Sequence, residues 1–216
     1  MEKVMQFLSE LSENNNREWF QQNKTWYDES REKVLFLTDV LISEIGKFDA
    51  SVRGLRPQDC MFRIFRDVRF SNDKRPYKTN FGSFICKGGR KSMNPGYYFH
   101  LEPSGCFVAG GIFMPPAEPL RAVRSYLAGH AEEFMEITTG PDFKASFPEM
   151  YDDRLKTAPK GFPKDHEHID LLKYKSFIFS QNYNDKQVKS KNYVENMVNA
   201  FRLVSPVNQF LYQALG

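Results

Sequence analysis

Arg63, Arg66 and Arg69 recur every three residues in a run that continues through Asp67, Asp73, Lys74, Arg75, Tyr77 and Lys78. Arginine carries a permanent charge on a planar fork of donors that matches carboxylate or phosphate oxygens, so three of them on one wall could grip an anion. Asp67 and Asp73 are spaced to hold two of the forks from the side, and Asp67 is also a candidate for proton transfer. Lys74 and Lys78 add point charges, while Tyr77 follows Pro76 on a turn that would present its ring and hydroxyl to a ligand. The same residues also suit an internal Arg–Asp network that ties a loop to a sheet without any ligand. Strand-like alternation through Phe62, Ile64, Val68 and Phe70 would put some of these charges on an exposed face in either case.

A second constellation is Tyr97 to Glu102. On a strand, Tyr98, His100 and Glu102 project from one face and Tyr97, Phe99 and Leu101 from the other. Glu102 can accept from one imidazole nitrogen and leave the second free, which would make His100 a general base with Glu102 as its orienting partner. The plainer reading is a half-buried histidine satisfied by its neighbours. The run Asp165-His166-Glu167-His168 has metal-ligand residue types, yet adjacent side chains diverge on helix and strand alike and no third histidine completes a zinc triad, so no metal site is expected. Neither GxGxxG nor a Walker loop occurs, Ser71 and Ser83 lack an elbow motif, and no cofactor can be named. Cys60, Cys86 and Cys106 are an odd number without CxxC spacing, which suits reduced thiols in a cytoplasmic protein.

Charge sharpens the first constellation. The chain of 216 residues has 30 Lys and Arg against 27 Asp and Glu, a net charge of only +3. Between Cys60 and Lys91, nine basic residues stand against two acidic ones, a local +7, so the remainder carries −4. Clustered like charge repels itself unless internal carboxylates or an anionic ligand balance it. The acidic remainder weakens long-range attraction of large polyanions, which favours a small anionic ligand over nucleic acid as the partner. With 41% hydrophobic residues and 20 Phe beside 10 Tyr, the composition is that of a folded protein with a ring-rich core. The start lacks a signal-peptide core, and the longest uncharged run, 103–117, is too short to span a bilayer and is broken by glycine and proline, so no membrane role is expected.

Elements that would position these residues follow from periodicity. Val4, Phe7, Leu8 and Leu11 fall at helical spacing, Asn14–Asn16 breaks the pattern, and one long helix is expected from Glu18 past Leu41 with Asn23 and Ser30 in its apolar stripe. Strands are expected at 61–65, 80–86, 97–101 and 106–113, with turns at Gly88-Gly89 and Ser104-Gly105. Beyond them come a helix from Pro119, another over 130–138, an irregular stretch over 141–168, a short helix at 169–174, a strand at 176–181, and closing helices over 186–215 interrupted at Pro206. The fold class is α+β: a mostly antiparallel sheet flanked by N-terminal and C-terminal helices. A single domain is expected over 1–216, with helices over about 3–47, the sheet over about 61–114, and helices and irregular segments over 117–216.

The run Arg63-Ile64-Phe65-Arg66-Asp67-Val68-Arg69-Phe70, followed by Asp73-Lys74 and Tyr77, resembles the signature of the domain-of-unknown-function 2461 family of bacterial and fungal proteins. The similarity extends to Asn15-Asn16-Arg17-Glu18-Trp19-Phe20, to Gly96 through Pro103, to Gly110-Gly111 and to Asp170 through Lys173, nearly the whole chain. The resemblance implies no substrate, reaction or cofactor, so function rests on the residues. They point to a protein that holds a small phosphate- or carboxylate-bearing ligand on Arg63, Arg66, Arg69, Lys74, Tyr77, Lys78 and Tyr98, with Asp67, His100 and Glu102 available for acid–base chemistry. The alternatives are a nucleic-acid-binding module, with tyrosines stacking on bases, and an interaction protein whose Arg–Asp network is structural. Whether it is an enzyme, and its oligomeric state, are left open.

Overall fold

A computed structural model describes residues 1–216. Helix α1 (Glu2–Glu13) buries Val4, Phe7, Leu8 and Leu11, as their spacing predicts. The expected long helix is two: α2 (Arg17–Gln22) and α3 (Lys24–Ile45). Asn16 caps α2 by accepting from the Trp19 amide at 2.9 Å, and Asn23 ends it at φ −105° and ψ 21°, where its amide nitrogen donates to the Trp19 carbonyl at 2.9 Å. An Asn side chain that satisfies the preceding turn competes with helix continuation, which is why the stripe breaks there. A short helix, α4 (Pro57–Cys60), precedes the sheet.

Strands β1 (Phe81–Ile85), β2 (Gly96–Leu101), β3 (Cys106–Ile112) and β4 (Phe177–Tyr183) form one sheet in the order β1-β2-β3-β4, every neighbour antiparallel. Between β3 and β4 the chain makes α5 (Ala117–Thr139), α6 (Pro141–Ser146) and α7 (Ile169–Leu172); α8 (Asp185–Val188) and α9 (Tyr193–Leu215) follow β4. The fold is therefore α+β with an antiparallel sheet and helices at both ends of the chain.

Three local expectations are corrected. Residues 61–65 make no strand, only isolated bridges Met61↔Ser83 and Phe65↔Tyr77, because the segment folds back on itself as a bent hairpin. Helix α6 occupies part of the stretch expected to be irregular, with Pro141 in its first turn, where proline's missing N–H costs nothing. Helix α9 runs unbroken through Pro206. Its one lost hydrogen bond is outweighed by burial of Val204, Val207, Phe210 and Leu211 against the sheet and α5. The two helical pieces expected after Pro119 are both present, run together as α5 and separated by a kink at His130, whose backbone is non-helical at φ −134° and ψ 26°.

The helices cover one face of the sheet. Tyr97, Phe99, Leu101, Val108 and Ile112 are wholly or almost wholly buried there, in a cluster that also takes residues from α1, α3, α5 and α9. Gly110 lets α9 approach, since a β-carbon there would stand 2.4 Å from a Val204 methyl. The Thr38 hydroxyl meets Ser83 at 2.9 Å and joins α3 to β1. Across the sheet, the second face carries Gly82, Tyr98, His100, Phe107 and Ala109, paired in register as Gly82↔His100, His100↔Phe107 and Tyr98↔Ala109. Neither edge is left bare: the Phe62 amide donates to Gly82 on one side and the Tyr151 amide to Ile178 on the other.

Candidate functional site

Strand alternation puts Tyr98 and His100 on the sheet face away from the helices, and the backbone just before β1 brings two polar residues to them. Asn80 Nδ2 lies 3.3 Å and the Tyr98 hydroxyl 2.9 Å from His100 Nδ1, while His100 Nε2 lies 3.0 Å from Glu102 Oε2. An amide nitrogen can only donate, so Nδ1 is the acceptor, Tyr98 donates to it, and Nε2 carries the proton given to Glu102. The Thr79 hydroxyl donates to Glu102 Oε1 at 2.5 Å. Phe107 stacks on the imidazole, with ring centres 4.8 Å apart and planes 15° apart. The His100 side chain keeps only 15% of its exposure, against 36% for Glu102, so the carboxylate is the relay's outward end.

This arrangement meets one expectation and corrects another. His100 and Glu102 do pair, but the second ring nitrogen is not free: Tyr98 and Asn80 occupy it. Tyr98 is itself held, with Phe62 edge-on at 6.2 Å, Phe107 at 5.6 Å, and its hydroxyl packed where a β-carbon at Gly82 would stand 2.6 Å away. Burial, aided by the Glu102 charge, pushes its phenol up to about 12. Thr79, Asn80, Phe62 and Phe107 are the members the sequence reading missed. The available signal was register: residues just before β1 must lie beside the end of β2 in an antiparallel pair.

The arginine run does not form a wall. It folds as a hairpin in which the Lys78 amide donates to Ile64 and the Arg66 amide to Pro76. Arg66 pairs with Asp73 at 2.5 Å, Arg75 with the same Asp73 at 2.8 Å, and Arg69 with Asp67 at 2.7 Å. The Arg75 and Arg66 guanidiniums beside Asp73 hold its carboxyl well below the usual carboxylate range, and the Arg69 hydrogen bonds do the same, less strongly, for Asp67. Lys74 donates to the Val68 carbonyl at 3.1 Å. Asp67, expected to move protons, is thus committed to Arg69 at an exposed tip and makes no hydrogen bond to the relay. Tyr77, expected to face a ligand, is 4% exposed and stacked on Phe20 at 3.9 Å, so it belongs to the core.

Arg63, Lys74 and Lys78 have no carboxylate partner, and of the three only Lys74 has a hydrogen bond, to the Val68 carbonyl. Asp67 feels Arg63 only at longer range. Lys78 Nζ rests 5.5 Å from the Phe62 ring centre. Burial first, and the neighbouring Arg63 charge second, hold its ammonium below the ordinary lysine range. Lys78 is followed directly by Thr79 and Asn80, so Arg63, Lys78 and the Tyr98–His100–Glu102 relay share one corner of the sheet, joined by Phe62.

Elsewhere, the Asp165–His168 run does not act as one cluster. Glu167 and His168 meet Glu132 of α5, with ligand atoms within 4.8 Å, and both carboxylates are exposed. A separate groove of about 580 Å³, lined by Phe36, Leu37, Val40, Val188 and Val194, lies on the helical side and is mainly apolar.

A family model described as a conserved hypothetical protein, DUF2461, matches residues 3–210. The chain belongs to the DUF2461 family. No curated protein and no solved structure matches it. In this DUF2461 protein, the separate runs that carry the resemblance meet in space. Asn15 clasps Tyr77, donating to its carbonyl at 3.0 Å and accepting from its amide at 3.1 Å, and Phe20 stacks on the same ring. The Gly96–Pro103 run supplies the relay. No helix is long and apolar enough to cross a membrane.

Proposed function

We propose that the protein binds a small phosphate- or carboxylate-bearing ligand at Arg63 and Lys78, beside the Tyr98–His100–Glu102 relay on the open sheet face. One contrast carries this reading. Arg66, Arg69 and Arg75 all have carboxylate partners, whereas the exposed Arg63 and the half-buried Lys78 near it have none. Two neighbouring cations without a counter-ion repel each other, and an anion between them converts that repulsion into two charge-assisted contacts. The relay supplies proton-exchange capacity within reach of the same corner, with Glu102 as its exposed end and Tyr98 and Asn80 fixing the imidazole tautomer.

Calorimetric titration with sugar phosphates, nucleotides and organic acids tests the reading. Arg63→Ala with Lys78→Ala should weaken the tightest anion by about tenfold or more, since each charge-assisted contact contributes about 1.5–3 kcal/mol. Arg69→Ala should leave affinity within about twofold, because that fork serves Asp67. Binding that survives the double substitution, or no binding at millimolar concentration, overturns the reading.

One observation favours a second reading. Phe70 is 95% exposed on the hairpin, with the Arg69 guanidinium 5.8 Å from its ring centre, a pairing that suits stacking on single-stranded nucleic acid. It requires oligonucleotide affinity that falls steeply with salt and is lost in Phe70→Ala.

A further inference from the structure

Arg124 is the only arginine or lysine that the fold buries, with 8% of its surface left exposed. It projects from α5 toward the run into β4, where its Nη2 donates to the Tyr174 carbonyl at 2.8 Å. That is its one hydrogen bond. Nε is shut off from solvent without an acceptor, and Nη1 has no acceptor either but keeps some contact with solvent. The carboxylates are engaged elsewhere: Arg31, Arg56, Arg66, Arg69, Arg75 and Arg154 all pair with Asp or Glu at exposed or half-exposed positions, and no carboxylate comes within ion-pair distance of Arg124.

A guanidinium cannot relieve this by losing its proton. An unpaired charge out of water is the unfavourable case, whereas an apolar side chain of similar volume would fill the same place without it. A permanent charge kept in such a place needs a negative partner from outside the chain. We propose that Arg124 holds the carboxylate of a small monocarboxylic acid on Nη1 and Nη2. The planar edge of the guanidinium matches the two oxygens of a carboxylate. One positive charge in a nearly closed place is neutralised by one negative charge, and a doubly charged phosphate would leave an excess there. Little of the side chain reaches solvent, which favours a slender acid over a branched one. This site goes beyond the Arg63–Lys78 corner and is separate from it: Tyr174 leads into β4 at one edge of the sheet, and Lys78 leads into β1 at the other.

Thermal melting tests this in the unsubstituted chain and in the Arg63→Ala, Lys78→Ala double variant, with sodium formate or acetate compared against sodium pivalate at equal ionic strength. Formate or acetate should raise the melting temperature saturably, by about 3–6 °C at about ten times its dissociation constant, and the bulky pivalate should not. Arg124→Met should abolish the rise and, with the buried charge removed, should melt no lower than its parent in pivalate. A rise that persists in Arg124→Met, or no rise over pivalate in the unsubstituted chain, overturns the site. A rise lost in the double variant assigns the effect to the first corner and overturns this site while leaving that one standing. Lower melting of Arg124→Met in pivalate shows that the guanidinium is already satisfied within the chain, which also overturns it. Should Arg124→Met not fold, Arg124→Lys, which keeps the charge but not the fork, should weaken the broadening of the formate proton NMR line; unchanged broadening overturns the assignment to Arg124.

Discussion

The imidazole of His100 is held from both sides, and each contact has a direction. Asn80 fixes Nδ1 as acceptor, so Nε2 must donate to Glu102, and Tyr98 adds the shorter of the two bonds at Nδ1. Tyr98→Phe removes that bond while keeping the ring against Phe62 and Phe107. It should cost about 0.5–1.5 kcal/mol in denaturant unfolding, and histidine NMR should show His100 Nδ1 more open to solvent. Gly82→Ala acts on the same group from the other side, because its methyl would meet the Tyr98 hydroxyl at 2.6 Å. The hydroxyl is the end of a side chain, so it should swing away and reproduce the Tyr98→Phe signature. An unaltered His100 resonance in both variants would show that the relay does not depend on Tyr98. The pairing of His100 with Glu102 was legible from two-residue spacing alone. Occupation of the second nitrogen was not, because it depends on Asn80, 20 residues earlier.

At the scale of elements, the basic hairpin is held by a side chain that imitates a strand. Asn15, between α1 and α2, offers Tyr77 both a donor and an acceptor, as a neighbouring backbone would. Asn15→Ala removes both bonds at a partly buried site and should cost about 1–3 kcal/mol. Amide exchange should accelerate through 62–78 and not in β2 or β3; uniform acceleration would mean that Asn15 supports the whole fold. Helices and strands with strong periodicity were readable in the sequence because burial on one face is a local pattern, as in Val4-Phe7-Leu8-Leu11 and in Tyr97-Phe99-Leu101. The hairpin was not, because its charges and rings alternate like a strand while its pairing is set by Asn15 and by the bridge from Phe65 to Tyr77. The continuity of α9 through Pro206 was hidden for a related reason: local propensity argued for a break, and tertiary burial prevailed.

For the whole molecule, the ring-rich composition becomes a liability at high pH. Burial raises the phenols of Tyr97 and Tyr193 strongly and those of Tyr98 and Tyr183 to about 12, all above the ordinary tyrosine value near 10. A folded-state pKa raised above the unfolded one gives stability that is complete below about pH 10 and is lost as pH climbs toward the folded value. The melting temperature should therefore fall steeply above about pH 10, and phenolate absorbance should rise in step with loss of helical circular dichroism. Phenolate appearing well before unfolding would mean that these rings are more open than the fold requires. The depressed carboxyls of Asp67 and Asp73 lie in exposed pairs, where salt and solvent screen them, so the acid limb should be gentler.

The hairpin divides at its last bridge. Below Phe65↔Tyr77 the strands are pinned to the core through Tyr77, and they carry Arg63 and Lys78. Above it, residues 68–74 make local contacts only: Lys74 and the Ser71 amide donate to the Val68 carbonyl, Asp73 pairs with Arg66 and Arg75, and Arg69 pairs with Asp67. The proposed anion corner and the exposed tip are thus separated along a single loop. The tip can lengthen, shorten or accept a grafted peptide while the mount stays fixed, which makes it the place to attach a reporter or alter selectivity without disturbing the corner beneath.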